Sequence, residues 1–332
     1  MYVYAGIDEA GYGPLLGPLV VSRAVLTITR LSADAAPPRL WQRLSKAVCR
    51  HLSNRRGRVP VNDSKKLTTK AAGLKHLEMG CLSFAHAGHL TPSHTGDWLE
   101  ALGVCPDDEL TQLPWYQPSA HRPWQALPVS ITSGEWSIGA GLLKRTADRI
   151  GVQVDDLGAA VVPETQFNRM VAATRSKAST SFTFVAGHLR AIWEAHGSNG
   201  AHVFVDRQSG RSHYRELLQM NFPEAALTVM EESADRSTYH LASPSAGRAT
   251  RAMTVQFESD SDATHMPVAL ASMISKYSRE LLMARLNDYF QAHVPALGRT
   301  AGYAQDAKRF LAALEPHFET LGIDRHQLCR QA

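Results

Sequence analysis

Hydrophobic positions alternate with period two at the start of the chain. Val3, Ala5 and Ile7 form one face of a strand that runs into the acidic pair Asp8-Glu9. Glycines and prolines crowd the next residues (Gly11, Gly13, Pro14, Gly17, Pro18), and the apolar run Leu19 to Leu26 predicts a second strand returning by a hairpin-like connection. Leu40, Leu44, Val48 and Leu52 recur every fourth residue and predict an amphipathic helix over 38–52 with Trp41 near its apolar face. A further helix is expected to start at Thr68. Others are expected at 97–103 and 139–150, on either side of a proline-rich stretch at 114–128. Residues 164–194 carry two helical patterns, Phe167, Met170 and Val171, then Val185, Leu189, Ile192 and Trp193, split by the polar stretch 174–181. Ala201 to Asp206 is a short buried strand ending on an acid. Residues 237–243 and 249–258 flank Pro244-Ser245-Ala246-Gly247-Arg248 as strand, turn and strand, with Arg236, Arg248 and Arg251 on them. They predict either a basic hairpin projecting near the site or a plain extension of the sheet. Leu270, Ile274, Tyr277 and Leu281 share a face and predict a helix over 267–280 packed on the sheet.

Composition sets bounds on this picture. The 332 residues, 44% of them hydrophobic, suffice for one large or two modest domains with a substantial core. A net charge of +4 permits a polyanionic partner without arguing for one. Cys49, Cys81, Cys105 and Cys329 lie far apart, so neither a disulfide framework nor a cysteine-rich zinc module is expected. Cys81, His86, His89, His94 and Cys105 have no zinc-site spacing, and no site is predicted there. No apolar run reaches the roughly 18 residues of a membrane span, and the first residues lack the pattern of a signal peptide. A cytoplasmic protein without a membrane partner is expected.

The candidate chemistry lies in four places. Asp8 and Glu9 end a strand beside glycines that let a bulky ligand approach the main chain. Asn62-Asp63-Ser64-Lys65-Lys66-Leu67 follows the basic Asn54-Arg55-Arg56-Gly57-Arg58, and its lysines suit a phosphate backbone. Asp206 ends a second strand, and Asp260-Ser261-Asp262 precedes the 267–280 helix. Taken singly, each has a blander explanation. A strand-end acid is usually turn chemistry, a Lys-Lys pair is usually a solvated face, and Tyr303 could be a core tyrosine.

Together, and in this order, they resemble the type 2 ribonucleases H (ribonuclease HII). The segment Gly6-Ile7-Asp8-Glu9-Ala10-Gly11-Tyr12-Gly13-Pro14-Leu15 through Val21 resembles that family's opening signature. Asn62 to Leu67, Ala201 to Asp206, Pro267 to Glu280 and Ala301-Gly302-Tyr303-Ala304 resemble its later motifs, and Phe167-Asn168 is a loose match. The resemblance implies a ribonuclease H-like α/β fold: a mixed, partly antiparallel sheet flanked by helices, covering 1–74 and 159–332. Residues 75–158, rich in Trp, His, Pro and Gly, are expected as an insertion or subdomain. It implies Asp8, Glu9, Asp206 and Asp262 as the metal-binding and catalytic acids, with Asp260 the nearest rival to Asp262. Two divalent cations, Mg2+ or Mn2+, would be the cofactors, since four carboxylates make an oxygen-rich site for hard ions. Gly11, Tyr12, Gly13, Asn62, Ser64, Lys65, Lys66, Ser272, Lys276 and Tyr303 are implied to contact the substrate, RNA in an RNA–DNA hybrid or chimeric duplex. Oligomeric state is left open.

Two departures stand out. Tyr12 occupies the place of a basic residue between the glycines, and Arg207 follows Asp206 where the family has Gly. They keep alive the alternative of a nucleic-acid-binding protein without turnover, and a third reading is a nuclease for DNA or structured RNA, its partner chosen by the insert and the basic hairpin. Adjacent strand residues face opposite ways, so Glu9 is expected to join Asp8 only if the strand bends there. Without cations, at least one of the carboxyls is expected to hold a proton.

Overall fold

The computed structural model describes residues 1–69, 71–105, 109–207, 211–243 and 250–331. Seven strands form one sheet: β1 Tyr2–Ala10, β2 Leu19–Ile28, β3 Val152–Val162, β4 Ala201–Asp206, β5 Ala226–Glu232, β6 Arg236–Ala242 and β7 Ala252–Glu258. Their spatial order is β3-β2-β1-β4-β7-β6-β5. The pairings β1–β4 and β4–β7 are parallel, and the other four are antiparallel. This is the mixed, partly antiparallel sheet flanked by helices that was expected. The helices used below are α1 Ser64–Leu67, α2 Lys75–Ala87, α3 Ser133–Ile150, α4 Glu164–Thr174, α5 Lys177–His196, α6 Ser261–Thr264, α7 Met266–His293 and α8 Arg325–Leu328.

Strand alternation divides the core in two. Val3, Ala5 and Ile7 of β1 join Val203 and Val205 of β4 and Val255 and Phe257 of β7 in a cluster with Phe182, Val185, Leu189 and Trp193 of α5. Tyr2 and Tyr4 face the other way, into a cluster with Phe204 and the long helix α7. β1 is therefore buried on both faces, as a strand with helices on each side must be.

α7 is apolar almost all round and is a central helix. Its first turn lies directly on β1 at Gly6, where a Cβ would stand 2.1 Å from the Val268 backbone nitrogen. Its outer side packs against described residues of the 75–158 span. Leu77, Phe84, Trp98 and Trp115 share one cluster with Leu270 and Tyr277. Trp98 Nε1 donates to Ser278 Oγ (2.9 Å). The buried Glu78 carboxylate accepts from Tyr277 Oη (2.7 Å) and from the backbone N–H groups of Val129, Ser130 and Ile131.

Several local expectations are corrected. The helix over 38–52 is confined to Leu40–Arg43. Leu40 and Leu44 do share a buried face, but β-branched Val48 and Cys49 instead form a short parallel ladder with Val59 and Pro60. No helix starts at Thr68. α1 ends there, and it begins after Asp63, whose carboxylate caps Lys65 N at 2.9 Å. The break between α4 and α5 is only two residues, with Arg175 in the left-handed region and Ser176 capping the next helix, so most of the polar stretch 174–181 is helical. α3 starts six residues before the expected 139, at the capping box formed by Thr132 and Glu135. β6 and β7 do pair, with Ala242 opposite Ala252 at one end of the ladder and Arg236 opposite Glu258, the residue level with Asp206, at the other. The expected turn at 244–248 lies outside the described residues. Arg248 falls outside the described residues, and Arg236 pairs with Glu231 (2.7 Å). No helix among the described residues is long and apolar enough to cross a membrane.

The contact at Gly6 yields a prediction. Gly6→Ala forces a methyl into the α7 backbone and should destabilise the protein by about 3 kcal/mol or more in urea denaturation. Gly187→Ala, in the interior of α5 with open space at its Cβ position, should instead be neutral or stabilising by about 0.5–1 kcal/mol.

Candidate active site

The site is assembled by the parallel part of the sheet. β1 and β4 pair in register up to Ile7 and Val205, and β4 and β7 up to Asp206 and Glu258. Asp8, Asp206 and Glu258 therefore stand side by side at the carboxyl ends of three parallel strands, where open α/β sheets take their ligands. Alternation puts them on the α7 side, in phase with Tyr4 and Phe204.

Each acid is held differently. Asp8 is 8% exposed, and its Oδ1 accepts from Glu9 N at 2.7 Å. Ser275 Oγ, on α7, donates to the Asp8 carbonyl at 3.0 Å, and Ser272 lies within hydrogen-bonding reach of the carboxyl. Asp206 Oδ1 accepts from Ser261 N at 3.0 Å, which fastens α6 and its Asp262 to the end of β4. Asp260, just before α6, has a left-handed backbone. Glu258 is satisfied elsewhere. His265 Nε2 lies 2.8 Å from its Oε1, and His265 Nδ1 is 2.6 Å from Tyr4 Oη.

Burial and like charge govern the electrostatics. Burial, then the charges of Glu9 and Asp206, hold the Asp8 carboxyl well above the usual carboxylate range. Burial pushes Asp206 up to about 6 against the Ser261 N–H, with Asp262 and Asp260 adding to the rise. Asp262 is raised by burial and by Asp63. In contrast, burial alone would raise Glu258, but His265 and Gln256 hold it below its ordinary value.

Asp8, Asp206 and Asp262, but not Glu258, border a cleft of about 530 Å³. Asp8, Glu9, Asp206 and Asp262 all line it, with Gly11, Tyr12, Gly13, Ser64, Lys65, Lys66, Ser272, Lys276 and Tyr303. Asn62 does not. It sits behind the wall, buried, donating to the Arg50 carbonyl (2.9 Å) and accepting from Asp63 N (2.9 Å). Asp63 and Asp260 also line the cleft. Asp63 was legible within its motif and Asp260 as the rival of Asp262.

One sequence expectation changes here. Glu9 lines the cleft without a bulge in β1, since the β1–β2 register runs unshifted to Ala10 and Val20. The β4 partner stops at Ile7, so beyond that point the cleft wraps around the strand end and meets residues of both faces. Arg207 does not cover Asp206. Its backbone N–H continues the ladder to Glu258 O (2.9 Å), and its guanidinium turns onto the β5–β6 turn, bonding Ala234 O, Ser233 O (3.3 Å) and Ser237 Oγ (3.2 Å).

As a donor set the cleft offers carboxylate oxygens with no sulfur or imidazole on its lining, which fits a hard divalent cation in kind. Among the described residues, however, no group of three or more His, Cys, Asp or Glu side chains stands close enough together to hold a metal ion. The acids share a cleft rather than a ready-made coordination shell.

The raised Asp206 carboxyl has a measurable consequence. Its folded value of about 6 exceeds the roughly 3.9 of an unfolded aspartate, so the folded state binds more protons between these values. Stability of the cation-free protein should therefore fall as pH rises through about 4 to 6. Asp206→Asn should flatten that slope, gaining on the order of 2 kcal/mol at pH 7.5 relative to pH 4, as read by urea denaturation in chelator.

No family model matches this sequence, and no curated protein matches it. Solved structures do. Ribonuclease HII of Archaeoglobus fulgidus, determined in complex with PCNA, is 15% identical, with a TM-score of 0.41 over 99% of this chain and 94% of that one. Ribonuclease H2 of Pyrococcus horikoshii OT3 is 16% identical, with a TM-score of 0.43 over 98% and 92%. Bst-RNase HIII in complex with Mn2+ is 13% identical, with a TM-score of 0.40 over 99% and 66%.

Proposed function

We propose that this protein is a metal-dependent endonuclease that hydrolyses phosphodiester bonds of RNA within RNA–DNA hybrid or ribonucleotide-containing duplexes. One observation carries it: Asp8, Asp206 and Asp262, up to 254 positions apart in sequence, line one cleft with a glycine loop and three lysines. Asp8, Glu9, Asp206 and Asp262 are the residues that would hold two divalent cations, Mg2+ or Mn2+. Bound there, the cations would lower the pKa of an attacking water and stabilise the leaving oxygen.

The rest of the lining has work suited to a duplex. Lys65, Lys66 and Lys276 supply positive charge for phosphates, with Lys276 held by Glu280 at 2.6 Å. Ser64 and Ser272, 3.1 Å apart, join the lysine segment to α7. The backbone of Gly11-Tyr12-Gly13 lines the cleft where a ribose hydroxyl could be read, the feature that separates RNA from DNA. Tyr303, about half exposed, offers a ring for a sugar or base. Asn62 would act from behind, by holding Asp63 and the Arg50 carbonyl.

Binding without turnover is the second reading, favoured by the lack of a preassembled trio of ligands among the described residues. A nuclease for DNA or structured RNA is the third, favoured by Tyr12 in place of a cation.

Labelled all-DNA, RNA–DNA and single-ribonucleotide duplexes, each with Mg2+ or Mn2+, separate the three. The expected outcome is cleavage of a ribonucleotide-containing duplex, lowered roughly a thousandfold or more by Asp8→Asn with duplex binding retained. Binding with no cleavage in either metal supports the second reading, and cutting of all-DNA duplex supports the third.

A further inference from the structure

The loop between β1 and β2 has few side chains with which to anchor itself, yet its backbone is bonded inward at Tyr12 and from Pro14 to Gly17. Leu15 N and Leu16 N donate to Gly302 O (2.8 and 3.2 Å), and Gly17 N donates to Glu164 Oε1 (3.0 Å). On the acceptor side the partners are mostly arginines. Leu16 O accepts from Arg279 Nη2 (3.0 Å), Leu15 O from Arg330 N (2.8 Å), Pro14 O from Arg330 Nε (3.0 Å) and Nη2, and Tyr12 O from Arg330 Nη2 (3.2 Å). Arg279 is 1% exposed and Arg330 2%.

Arg330 is itself held. Its guanidinium lies 4.5 Å from the centroid of the Phe167 ring. One helical turn supplies the clamp, because Glu164, Phe167 and Asn168 fall at i, i+3 and i+4 of α4. Asn168 Nδ2 donates to His326 O (3.0 Å) and Cys329 O (2.9 Å), while its Oδ1 accepts from Gln331 N (2.7 Å). Residues 326–331 are thereby strapped across α4 and against the loop.

Two buried cations this close together are costly. Burial, and then the neighbouring Arg279, bring Arg330 down to about 10. Arg279 Nε and Nη1, Arg330 Nη1 and Glu164 Oε2 are buried without a hydrogen-bond partner among the described residues. A fold that needed only stability would do as well with apolar side chains here. What the guanidinium groups supply is a fixed direction for the loop carbonyls, and so a fixed pose for the Gly11–Gly13 backbone lining the cleft.

We propose that Arg330, strapped by Asn168, is a positioning residue that holds the 11–14 backbone in the geometry with which it meets a nucleic-acid strand. The proposal rests on the reading of that loop as substrate-facing, while Arg330 itself does not line the cleft.

Hydrogen exchange on the free protein tests it independently of any cleavage. In Arg330→Met, amides of residues 11–17 should exchange at least about tenfold faster while those of β4 and α7 keep their rates. Asn168→Ala should give a smaller loosening of the same segment. In the cleavage assay, KM for the duplex should rise about tenfold or more with a smaller change in kcat, and Arg330→Lys should recover part of the loss. Unchanged exchange at 11–17 in Arg330→Met overturns the proposal, and so does faster exchange spread evenly over the sheet. If Arg330→Met does not fold, Asn168→Ala decides alone on the same criterion. A wild-type protein that cleaves nothing, with selective loosening at 11–17, sinks the nuclease reading and leaves the strap standing. An active wild type with an unmoved loop sinks the strap alone.

Discussion

The seating of α7 on β1 at Gly6 is the contact on which the rest of this structure depends. With no side chain at Gly6, the first turn of the helix lies against the strand backbone. From there α7 carries Ser272 and Ser275 to the Asp8 end of the strand, Lys276 to the cleft and Arg279 to the underside of the glycine loop. A single rigid element thus fixes the distance between the acids and the groups around them. Rigid supports are what a constellation of mutually repelling charges requires, because nothing in the charges themselves would keep them together.

The treatment of the carboxylates follows the same logic. Glu258 occupies the strand-end position next to Asp206, yet it is paired with His265 and held ionised. Asp8 is raised by burial and the charges of Glu9 and Asp206, and Asp206 by burial and the charges of Asp262 and Asp260. Two kinds of acid therefore stand in one row. One serves the architecture, and the others store an electrostatic cost that a cationic ligand would relieve.

Much of this was legible in the sequence because the informative residues are local signals. The acids end short apolar strands, the glycines mark a loop, and α7 declares itself by the spacing of Leu270, Ile274, Tyr277 and Leu281. What stayed hidden is long-range. Neither Asn168 nor Arg330 belongs to a pattern that would connect them, and their roles exist only once α4 lies beside the 326–331 segment. The way Glu9 reaches the cleft was hidden too, since it depends on where β4 stops rather than on β1. Periodicity misled at 38–52, where Val48 met the four-residue spacing but followed its β preference into a ladder with Val59. The Trp-rich span 75–158 reads as a change of composition, while in the structure Trp98 and Trp115 are buried against α7.

That burial has a chronological side. During synthesis, Trp98 and the acid Glu78 emerge well before Tyr277 and Ser278, and Trp115 well before Tyr289 and Phe290, the groups that later satisfy and cover them. β1 likewise waits some two hundred residues for its parallel neighbour β4. A chain wired this way cannot complete its interior in instalments from the ribosome, and a large apolar surface stays uncovered until α7 arrives. Its most delicate moment is therefore its birth, when the nascent polypeptide has the greatest need of a chaperone's shelter.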